Sequence, residues 1–370
     1  MYPMKKLTAL ILALTLCLLC GCGGKTEEPK ATLAPTEAPT QATTETNAPE
    51  TEATESTEAP TEAPVVYTNP LTGEVLDAPF ENRLIAVTIC NLEDAIPHRG
   101  VTQADMYFEM FVNHSIIRGF ALYTDIASVE TIGSIRSTRP IFTDIAGHYD
   151  AFVAHAGGSP EALTDQYNSK IDNMNVDTQD ETTYSFRDFE RNKKLPWENC
   201  LFAKGEGLLK AIQDKGVRTT QEIGKTYGLN FTEDGTPDGE TAETVTIAFK
   251  YSSSFKNTVM VYDESLGCYV YNQYGEEMRD ADTNEPETFE NVIIVFSEDH
   301  LDGIGYHIFD FLSGGDGYYA NGGKLIPIKW SCDGEDQPLT YQTLDGEPLE
   351  IGVGNTYVAL AALGSKVDWK

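Results

Sequence analysis

The chain has 370 residues, of which 41% are hydrophobic, and a formal net charge of −32 at pH 7. This hydrophobic content is enough to bury a core over most of the length. Binding to the nucleic-acid backbone needs clustered lysines and arginines, so the charge excludes that class, whereas an acidic surface is typical of an exported soluble protein.

Residues 1–21 resemble a bacterial lipoprotein signal peptide. Lys5 and Lys6 form a positive start, and the apolar run of residues 7–19 is too short to span a bilayer comfortably. The run ends in Leu19-Cys20-Gly21-Cys22, which implies cleavage before Cys22 and transfer of a diacylglyceryl group to its sulfur. Two acyl chains would anchor the protein stably. The alternative is an ordinary signal peptide with a soluble product.

Residues 22–66 are predicted to be a disordered stalk. Thr, Glu, Ala and Pro dominate, and the tetrapeptide Thr-Glu-Ala-Pro occurs at Thr36, Thr57 and Thr61. No apolar periodicity offsets the entropy of ordering such a segment, and its prolines and like charges keep it extended.

Residues 67–235 are predicted to be an α/β domain. Apolar β-branched runs predict strands, and proline after a capping residue predicts a helix start. Residues 104–112 fit either a strand or a helix. The other predicted strands are 84–89, 119–124 and 151–156; the predicted helices are 140–149, capped by Ser137 or Thr138, one from Pro160, and 208–213. Their alternation predicts three layers.

Residues 236–370 are predicted to be an antiparallel β domain. Strand-like runs separated by turns recur without intervening helices, and a Gly/Asp/Pro loop near residue 235 marks the boundary. The predicted strands are 244–250, 258–262, 268–272, 292–296, 306–311, 325–330 and 356–360. The predicted fold class is therefore a two-domain α+β protein, with a three-layer α/β domain followed by a mainly antiparallel β domain.

Two arginines and a glycine turn indicate an anion site in the first domain. Arg136 and Arg139 precede one predicted helix, and His155-Ala156-Gly157-Gly158-Ser159 precedes the next. If the strands are parallel, both helix starts open at one sheet edge, where α/β folds bind ligands. Guanidinium groups bind phosphate or carboxylate in bidentate fashion. The alternative is that Arg136 or Arg139 pairs with Glu109 or Asp144.

The predicted ligand contacts are Arg118, Arg136, Arg139, His155, Gly157, Gly158, Ser159 and Arg187. Arg118 and Arg187 rank second among them. A Ser-His pair could serve acyl transfer, but the Gly-x-Ser-x-Gly elbow is absent, so Ser159 is predicted to cap the helix instead.

Glu109 is the candidate catalytic residue. It lies between Phe108 and Met110 in an apolar segment, where a carboxyl group with a raised pKa could act as general acid in glycan cleavage. The alternative is a structural salt bridge to Arg118 or Arg136, since an unpaired buried acid is costly.

The sequence predicts no metal and no cofactor. The acidic turn that begins at Asp280 lacks the glycine and the final glutamate of a calcium loop, and phosphate-loop and dinucleotide fingerprints are missing. Four cysteines remain after Cys22, namely Cys90, Cys200, Cys268 and Cys332, and their spacing favours no pairing.

From Asn69 onward the chain resembles the YerB-like lipoprotein family of Gram-positive bacteria. The resemblance rests on Gln103-Ala104-Asp105 with Glu109, Ile132-Gly133-Ser134-Ile135-Arg136-Ser137-Thr138-Arg139, His155-Ala156-Gly157-Gly158-Ser159-Pro160, Phe186-Arg187-Asp188 and Asn291-Val292-Ile293. It implies an N-terminal α/β domain and a C-terminal β domain, and it supplies no established activity.

The combined prediction is a lipid-anchored protein on the outer face of the cytoplasmic membrane of a Gram-positive-type bacterium. It would bind an anionic or glycan component of the cell envelope in an arginine-lined cleft, with a membrane contact through the anchor only and no nucleic-acid partner. One alternative is a cell-wall glycan-cleaving enzyme that uses Glu109. Another is a scaffold for other envelope proteins.

Overall fold

The computed structural model describes residues 65–168, 171–177, 181–303 and 305–370. The predicted signal peptide, the anchor residue Cys22 and nearly all of the predicted stalk lie outside these ranges. Within the described ranges, no helix has the length and apolar character needed to cross a bilayer.

The described residues form four α-helices, each of ten residues or fewer. They are α1 Pro140–His148, α2 Pro160–Asn168, α3 Phe189–Asn192 and α4 Gly205–Asp214.

Strands make up most of the regular structure. In chain order they are β1 Tyr67–Thr68, β2 Val75–Leu76, β3 Ile85–Cys90, β4 Met106–Asn113, β5 Ile116–Tyr123, β6 Ile132–Gly133, β7 Phe152–His155, β8 Asn173–Asn175, β9 Ser185–Arg187, β10 Leu201–Ala203, β11 Asn230–Thr232, β12 Glu240–Thr241, β13 Thr244–Tyr251, β14 Ser254–Asp263, β15 Cys268–Gln273, β16 Glu276–Glu277, β17 Thr288–Phe289, β18 Asn291–Ser297, β19 Asp299–Leu301, β20 His307–Phe309, β21 Gly315–Asn321, β22 Lys324–Cys332, β23 Leu339–Thr343, β24 Glu350–Gly352, β25 Thr356–Ala362 and β26 Lys366–Trp369.

A mixed sheet of eleven strands runs through the middle of the fold. Its order is β12-β22-β21-β18-β25-β4-β5-β3-β7-β8, and β23 also pairs with β22. The pairs β18–β25, β25–β4, β3–β7 and β7–β8 are parallel, while β4–β5 and β5–β3 are antiparallel. Early and late parts of the chain therefore meet side by side at β4 and β25.

A second sheet covers one face of this central sheet. Its antiparallel order is β16-β15-β14-β13-β26, with β17 on β15. Side chains from both sheets share one buried cluster, in which Tyr107 and Ala121 of the central sheet join Ile247, Met260 and Tyr271 of the second. Helix α4 contributes to the same cluster.

The opposite face of the central sheet buries α1. Successive side chains of a strand point to opposite faces of the sheet, so Phe108 and Phe120 lie on the face opposite to Tyr107 and Ala121. They pack with Ile141, Phe142 and Ile145 of α1. The Phe120 and Phe142 rings stack with centroids 4.9 Å apart. This contact fixes the helix that follows Arg139.

The predicted fold class is wrong. The described body is mostly β, and its N-terminal part is not a three-layer α/β domain. The segment 104–112, which fits strand or helix, lies almost wholly in β4, which pairs with β5 in an antiparallel hairpin. One face of the sheet is covered largely by other strands, because the amphipathic strands of residues 244–273 fill the place expected for helices.

The domain boundary predicted near residue 235 stays a prediction. Strands from both sides of it pair in the central sheet, and the described residues form one compact unit. The cysteines Cys90, Cys200, Cys268 and Cys332 are all buried free thiols.

Candidate functional site

Two chain segments run side by side just before α1 and α2. The main-chain amide of Ala156 donates to the carbonyl of Arg136 at 2.9 Å, and that of Thr138 donates to the carbonyl of Gly157 at 3.0 Å. The amide of Ser159 completes the pairing with the carbonyl of Thr138 at 3.3 Å. Because β3 and β7 are parallel, the two helices begin next to each other, as the sequence predicted.

Glycine is required where these segments touch. Gly157 has φ +68°, in the left-handed region, and its amide donates to Asn175 Oδ1 at 3.1 Å. A Cβ atom on Gly158 would lie 2.7 Å from Thr138 Cγ2. The Gly-Gly pair thus permits an approach that any side chain at residue 158 would block.

The helix starts differ from each other. Ser159 Oγ accepts a hydrogen bond from the amide of Ala162 at 3.1 Å, which confirms its predicted role as cap. The predicted cap of α1 by Ser137 or Thr138 is wrong: Arg139 takes the N-cap position, without a side-chain cap. Its extended backbone places the arginine at the very start of the helix.

Arg118 reaches this segment from β5. Its Nη1 donates to the carbonyl of Ser137, and the residue is only 2% exposed. Burial, together with the nearby positive charges of Arg139 and Arg136, lowers the pKa of the Arg118 guanidinium to about 9. Residues from two segments of the sequence therefore gather positive charge in one region, which we call the arginine cluster: Arg118, Arg136 and Arg139.

Within the described residues, no carboxylate forms a salt bridge with the arginine cluster. Among the residues that the structure describes, no salt bridge involves any of the three arginines, although Arg83, Arg99, Arg187 and others are paired. The Nε atoms of all three are buried without a hydrogen-bond partner. Of the two acids predicted as alternative partners, Glu109 pairs with Lys256, and no ion pair of the described residues joins Asp144 to Arg136 or Arg139.

Two further groups lie beside Arg139. Its guanidinium carbon is 5.1 Å from the centre of the Tyr306 ring, and Nη1 donates to the carbonyl of Thr138 at 2.7 Å. Burial lowers the pKa of Arg139, while the charges of Tyr306 and Glu161 oppose the shift. Glu161, in the first turn of α2, is thus near enough to act on Arg139, yet no ion pair joins them in the described chain.

His155 supports the glycine turn. Nδ1 lies 2.7 Å from the carbonyl oxygen of Gly157, and Nε2 lies 3.1 Å from Asn173 Oδ1. Burial lowers its pKa, which these hydrogen bonds oppose. Both ring nitrogens are engaged within the protein, so His155 positions Gly157 and makes no described contact with the three arginines.

Arg187 is used elsewhere. Arg187 forms an ion pair with Asp177 and donates a hydrogen bond to the main-chain carbonyl of Trp197 at 2.9 Å. Its guanidinium carbon also lies 4.3 Å from the centre of the Trp197 indole ring. The structure therefore brings Arg118, Arg136 and Arg139 together but gives Arg187 its own acid and aromatic partner.

Glu109 is fully buried at the interface of the two large sheets. Its carboxylate accepts hydrogen bonds from Asn91 and Thr258, both at 2.7 Å, and from Tyr357. It is salt-bridged to Lys256, not to Arg118 or Arg136 as the structural alternative predicted. With 0% exposure, the carboxylate has no route to a polymer in this structure, so the geometry offers no support for glycan cleavage.

Lys256 and Tyr306 were missed by the sequence reasoning. The position of Lys256 could have been predicted from the strand pattern, because Lys256 alternates with Thr258 and Met260 on the inward face of β14. A lysine in such a position needs an acid. No sequence pattern predicts the role of Tyr306, because its contact with Arg139 is set by tertiary packing.

Two cavities of the structure lie away from these residues. One of about 150 Å³ is bordered by Arg83, Thr124 and Arg218, and one of about 290 Å³ by Asn69, Lys225 and Tyr227. None of the predicted site residues lines either cavity. The arginine cluster is therefore a charged region held by backbone pairing, distinct from both hollows.

Comparisons with known proteins match both parts of the chain. Residues 71–218 match the description "Protein of unknown function (DUF3048) N-terminal domain", and residues 245–358 match its C-terminal domain. "Putative lipoprotein YerB" of Bacillus subtilis is 28% identical over 293 residues, covering 78% of this chain and 84% of that protein. A crystal structure of YerB protein from Bacillus subtilis superposes with TM-score 0.70 at 25% identity, covering 81% of this chain and 99% of the other.

Proposed function

The chain belongs to the YerB-like lipoprotein family, whose two domains are described as having unknown function, and from this premise we propose that it is a lipid-anchored protein that binds an oxyanion of the cell envelope. The ligand would be a phosphate or carboxylate group, carried by an envelope polymer or by a small molecule. The arginine cluster would hold it.

The observation that supports this proposal is the missing carboxylate. Three guanidinium groups form no salt bridge in the described chain, and the charge of Arg136 lowers the pKa of both Arg118 and Arg139. Desolvated like charges repel, so a bound anion would lower the free energy of this arrangement. Guanidinium groups suit phosphate and carboxylate because their parallel N–H groups match two oxygens.

The proposed location at the membrane is supported by Cys22 and by the name of the similar protein from Bacillus subtilis. Leu19-Cys20-Gly21-Cys22 has the small residue before the acceptor cysteine that lipid attachment needs, and the similar protein of Bacillus subtilis is named a lipoprotein. Replacing Cys22 by Ala should move the protein from the membrane fraction into the medium of a Gram-positive host. A Cys22→Ala protein that stays with the membrane would contradict the anchor.

Binding is tested with the double variant Arg136→Gln/Arg139→Gln. The matched control is Arg279→Gln/Lys329→Gln, which removes the same charge from side chains that are 43% and 55% exposed. We expect wild type and control to bind inorganic phosphate equally. The double variant should bind more than about tenfold more weakly, since each charge-assisted hydrogen bond contributes about 1.5–3 kcal/mol. Equal affinity of all three would overturn the proposal.

The source of the anion is tested by sedimentation with purified Gram-positive cell walls. Walls are used intact, stripped of phosphate polymers, or stripped of protein only. Loss of binding after phosphate removal assigns the ligand to the polymer. Binding of free phosphate, with no sedimentation on any wall sample, assigns it to a small molecule.

A further inference from the structure

A second group of side chains, around Glu109, has the composition of a reactive centre. Lys256 Nζ and Asn91 Nδ2 both donate hydrogen bonds to the same oxygen, Glu109 Oε1, the latter at 2.7 Å. The amine of Lys256 and the carboxamide of Asn91 are therefore neighbours on one carboxylate oxygen. Asn91 follows β3 of the central sheet, whereas Lys256 lies on β14 of the second sheet.

Lys256 is placed as a nucleophile. Its side chain is only 13% exposed, and burial lowers the pKa of the amine, which Glu109 partly opposes. A lysine nucleophile must lose a proton before it attacks a carbonyl carbon, and an adjacent base that accepts that proton activates it. Glu109 stands in that position.

Asn91 is placed as the electrophile. Its Oδ1 accepts a hydrogen bond from Gln273 Nε2, and its Nδ2 also donates to Tyr271 OH at 3.0 Å. A donor on the carbonyl oxygen stabilises the negative charge that develops there during attack. Gln273 is 1% exposed, so its amide is held in place by the surrounding structure.

The surroundings keep water away from this centre. The Tyr271 and Tyr357 rings lie 5.7 Å apart between centroids, and Phe289 packs against both at 6.2 and 5.6 Å. Tyr357 and Thr258 hold Oε2 of Glu109, which leaves Oε1 for the amine and the carboxamide. A dry, aromatic site strengthens each electrostatic contact and suppresses hydrolysis.

We propose that Lys256 and Asn91 form an intramolecular amide bond, with Glu109 as the proton carrier and Gln273 as the oxyanion donor. Glu109 takes a proton from the Lys256 ammonium, and Nζ forms a bond to Asn91 Cγ. The bond from Cγ to Nδ2 then breaks. The nitrogen of Asn91 leaves as ammonium, taking its added protons through Glu109, which returns to carboxylate. No electrons are exchanged with a redox partner.

The bond would join the two large sheets covalently. It would close a loop of more than a hundred residues, and cross-links of that span restrict the conformations of the unfolded chain. Such a link suits a protein outside the cell, where proteases are met and chaperones that use ATP are absent. It is independent of anion binding, because none of its groups belongs to the arginine cluster.

The test is the mass of the full chain purified after complete folding. Wild type and Lys256→Arg are processed identically, so their masses should differ by the substitution plus one ammonia. A proteolytic digest of wild type should contain a branched peptide that joins Asn91 to Lys256. Glu109→Gln should restore the ammonia and abolish the branched peptide, and Gln273→Leu should slow its appearance after refolding.

Several outcomes would overturn the assignment. One is separate linear peptides around residues 91 and 256 in wild type, which indicate an ordinary ion pair. A second is loss of ammonia in both wild type and Lys256→Arg, which indicates a succinimide at Asn91. A third is loss of water with a branch at Glu109, which makes the glutamate the electrophile. Because the wild-type mass and the wild-type digest together separate these cases, a variant that fails to fold does not obscure the result.

Discussion

Arg118 donates through Nη1 to the main-chain carbonyl of Ser137, and this bond links β5 to the segment that precedes α1. The two residues come from different parts of the sequence, and the contact buries a guanidinium group beside two others. Burial and the neighbouring charges lower its pKa. A cation held in this way is stabilised by any anion that reaches it.

Anions should therefore stabilise the wild type but not a variant without Arg118. We predict that saturating phosphate raises the free energy of unfolding of wild type by about 2–3 kcal/mol at one hundred times the dissociation constant. Arg118→Met should gain far less, because the buried charge is gone. Thermal unfolding at matched ionic strength, with chloride replacing phosphate, measures the difference. An equal gain in both proteins would contradict the prediction.

Glu161 should weaken anion binding. Its charge acts on Arg139 without forming an ion pair, and its Oε2 is buried without a partner. Glu161→Gln removes a negative charge next to the incoming anion, so phosphate should bind more tightly, by about 1 kcal/mol or less at this partly screened position. Titration calorimetry measures the change. Glu206→Gln, which is in the first turn of α4, is the matched control and should leave affinity unchanged.

Gly158→Ala should disturb both the fold and the arginine cluster. The new methyl group would lie 2.7 Å from Thr138 Cγ2 and push apart the segments that carry Arg136 and Arg139. We expect a loss of about 1–3 kcal/mol in unfolding free energy, as overpacking generally costs, together with weaker phosphate binding. Gly303→Ala is the control, because nothing lies within 4 Å of a Cβ atom there. Similar behaviour of the two variants would refute the role of the close approach.

Glu109 and Lys256 should be coupled in stability. Removing one partner leaves the other charge buried, so Glu109→Gln and Lys256→Met should each lose about 3–5 kcal/mol, and the double variant should lose less than the two losses added together. The proposed amide bond is lost in each of the three variants, so it would add to the coupling and could not produce additive losses. Denaturant unfolding gives the values. Strictly additive losses would show that the pair is not coupled.

Acid should destabilise the protein through His148. Burial lowers its pKa below 6.5, an effect that Lys225 increases and that Asp336 and the carbonyls of Gln337 and Gly334 oppose. The unfolded chain thus binds the proton first, so this contribution is complete above about pH 6.5 and is lost as the pH falls toward the folded pKa.

The measurement is unfolding free energy between pH 7 and 5. His148→Phe should flatten the dependence, since the ring already packs on Phe311 with centroids 4.9 Å apart. His300→Phe, at an exposed position, should leave the slope as in wild type. An unchanged slope in His148→Phe would exclude this histidine as the source.

Local signals in the sequence predicted the arginine segment well. Pro140 and Pro160 mark helix starts that the structure contains, and Ser159 caps the second one. These features depend on residues close together in the chain, which is why propensity and spacing were sufficient.

The partners of Glu109 and the architecture could not be predicted in the same way. Glu109 meets Lys256 and Tyr357, which lie far along the chain, and no local pattern specifies such pairs. The same holds for β25 beside β4: an apolar strand shows that it is buried, but not which strand is its neighbour. The fold class failed because tertiary pairing replaced the expected helical layer.

The position of β25 in the middle of the central sheet has a consequence for synthesis. Until Thr356–Ala362 emerges from the ribosome, β4 has an open edge and β18 lacks a parallel neighbour. Contacts of such long sequence separation form slowly, and unpaired apolar edges attract other chains. A nascent chain would therefore keep this sheet open until β25 has been made, which is the condition that threading through a translocation pore requires.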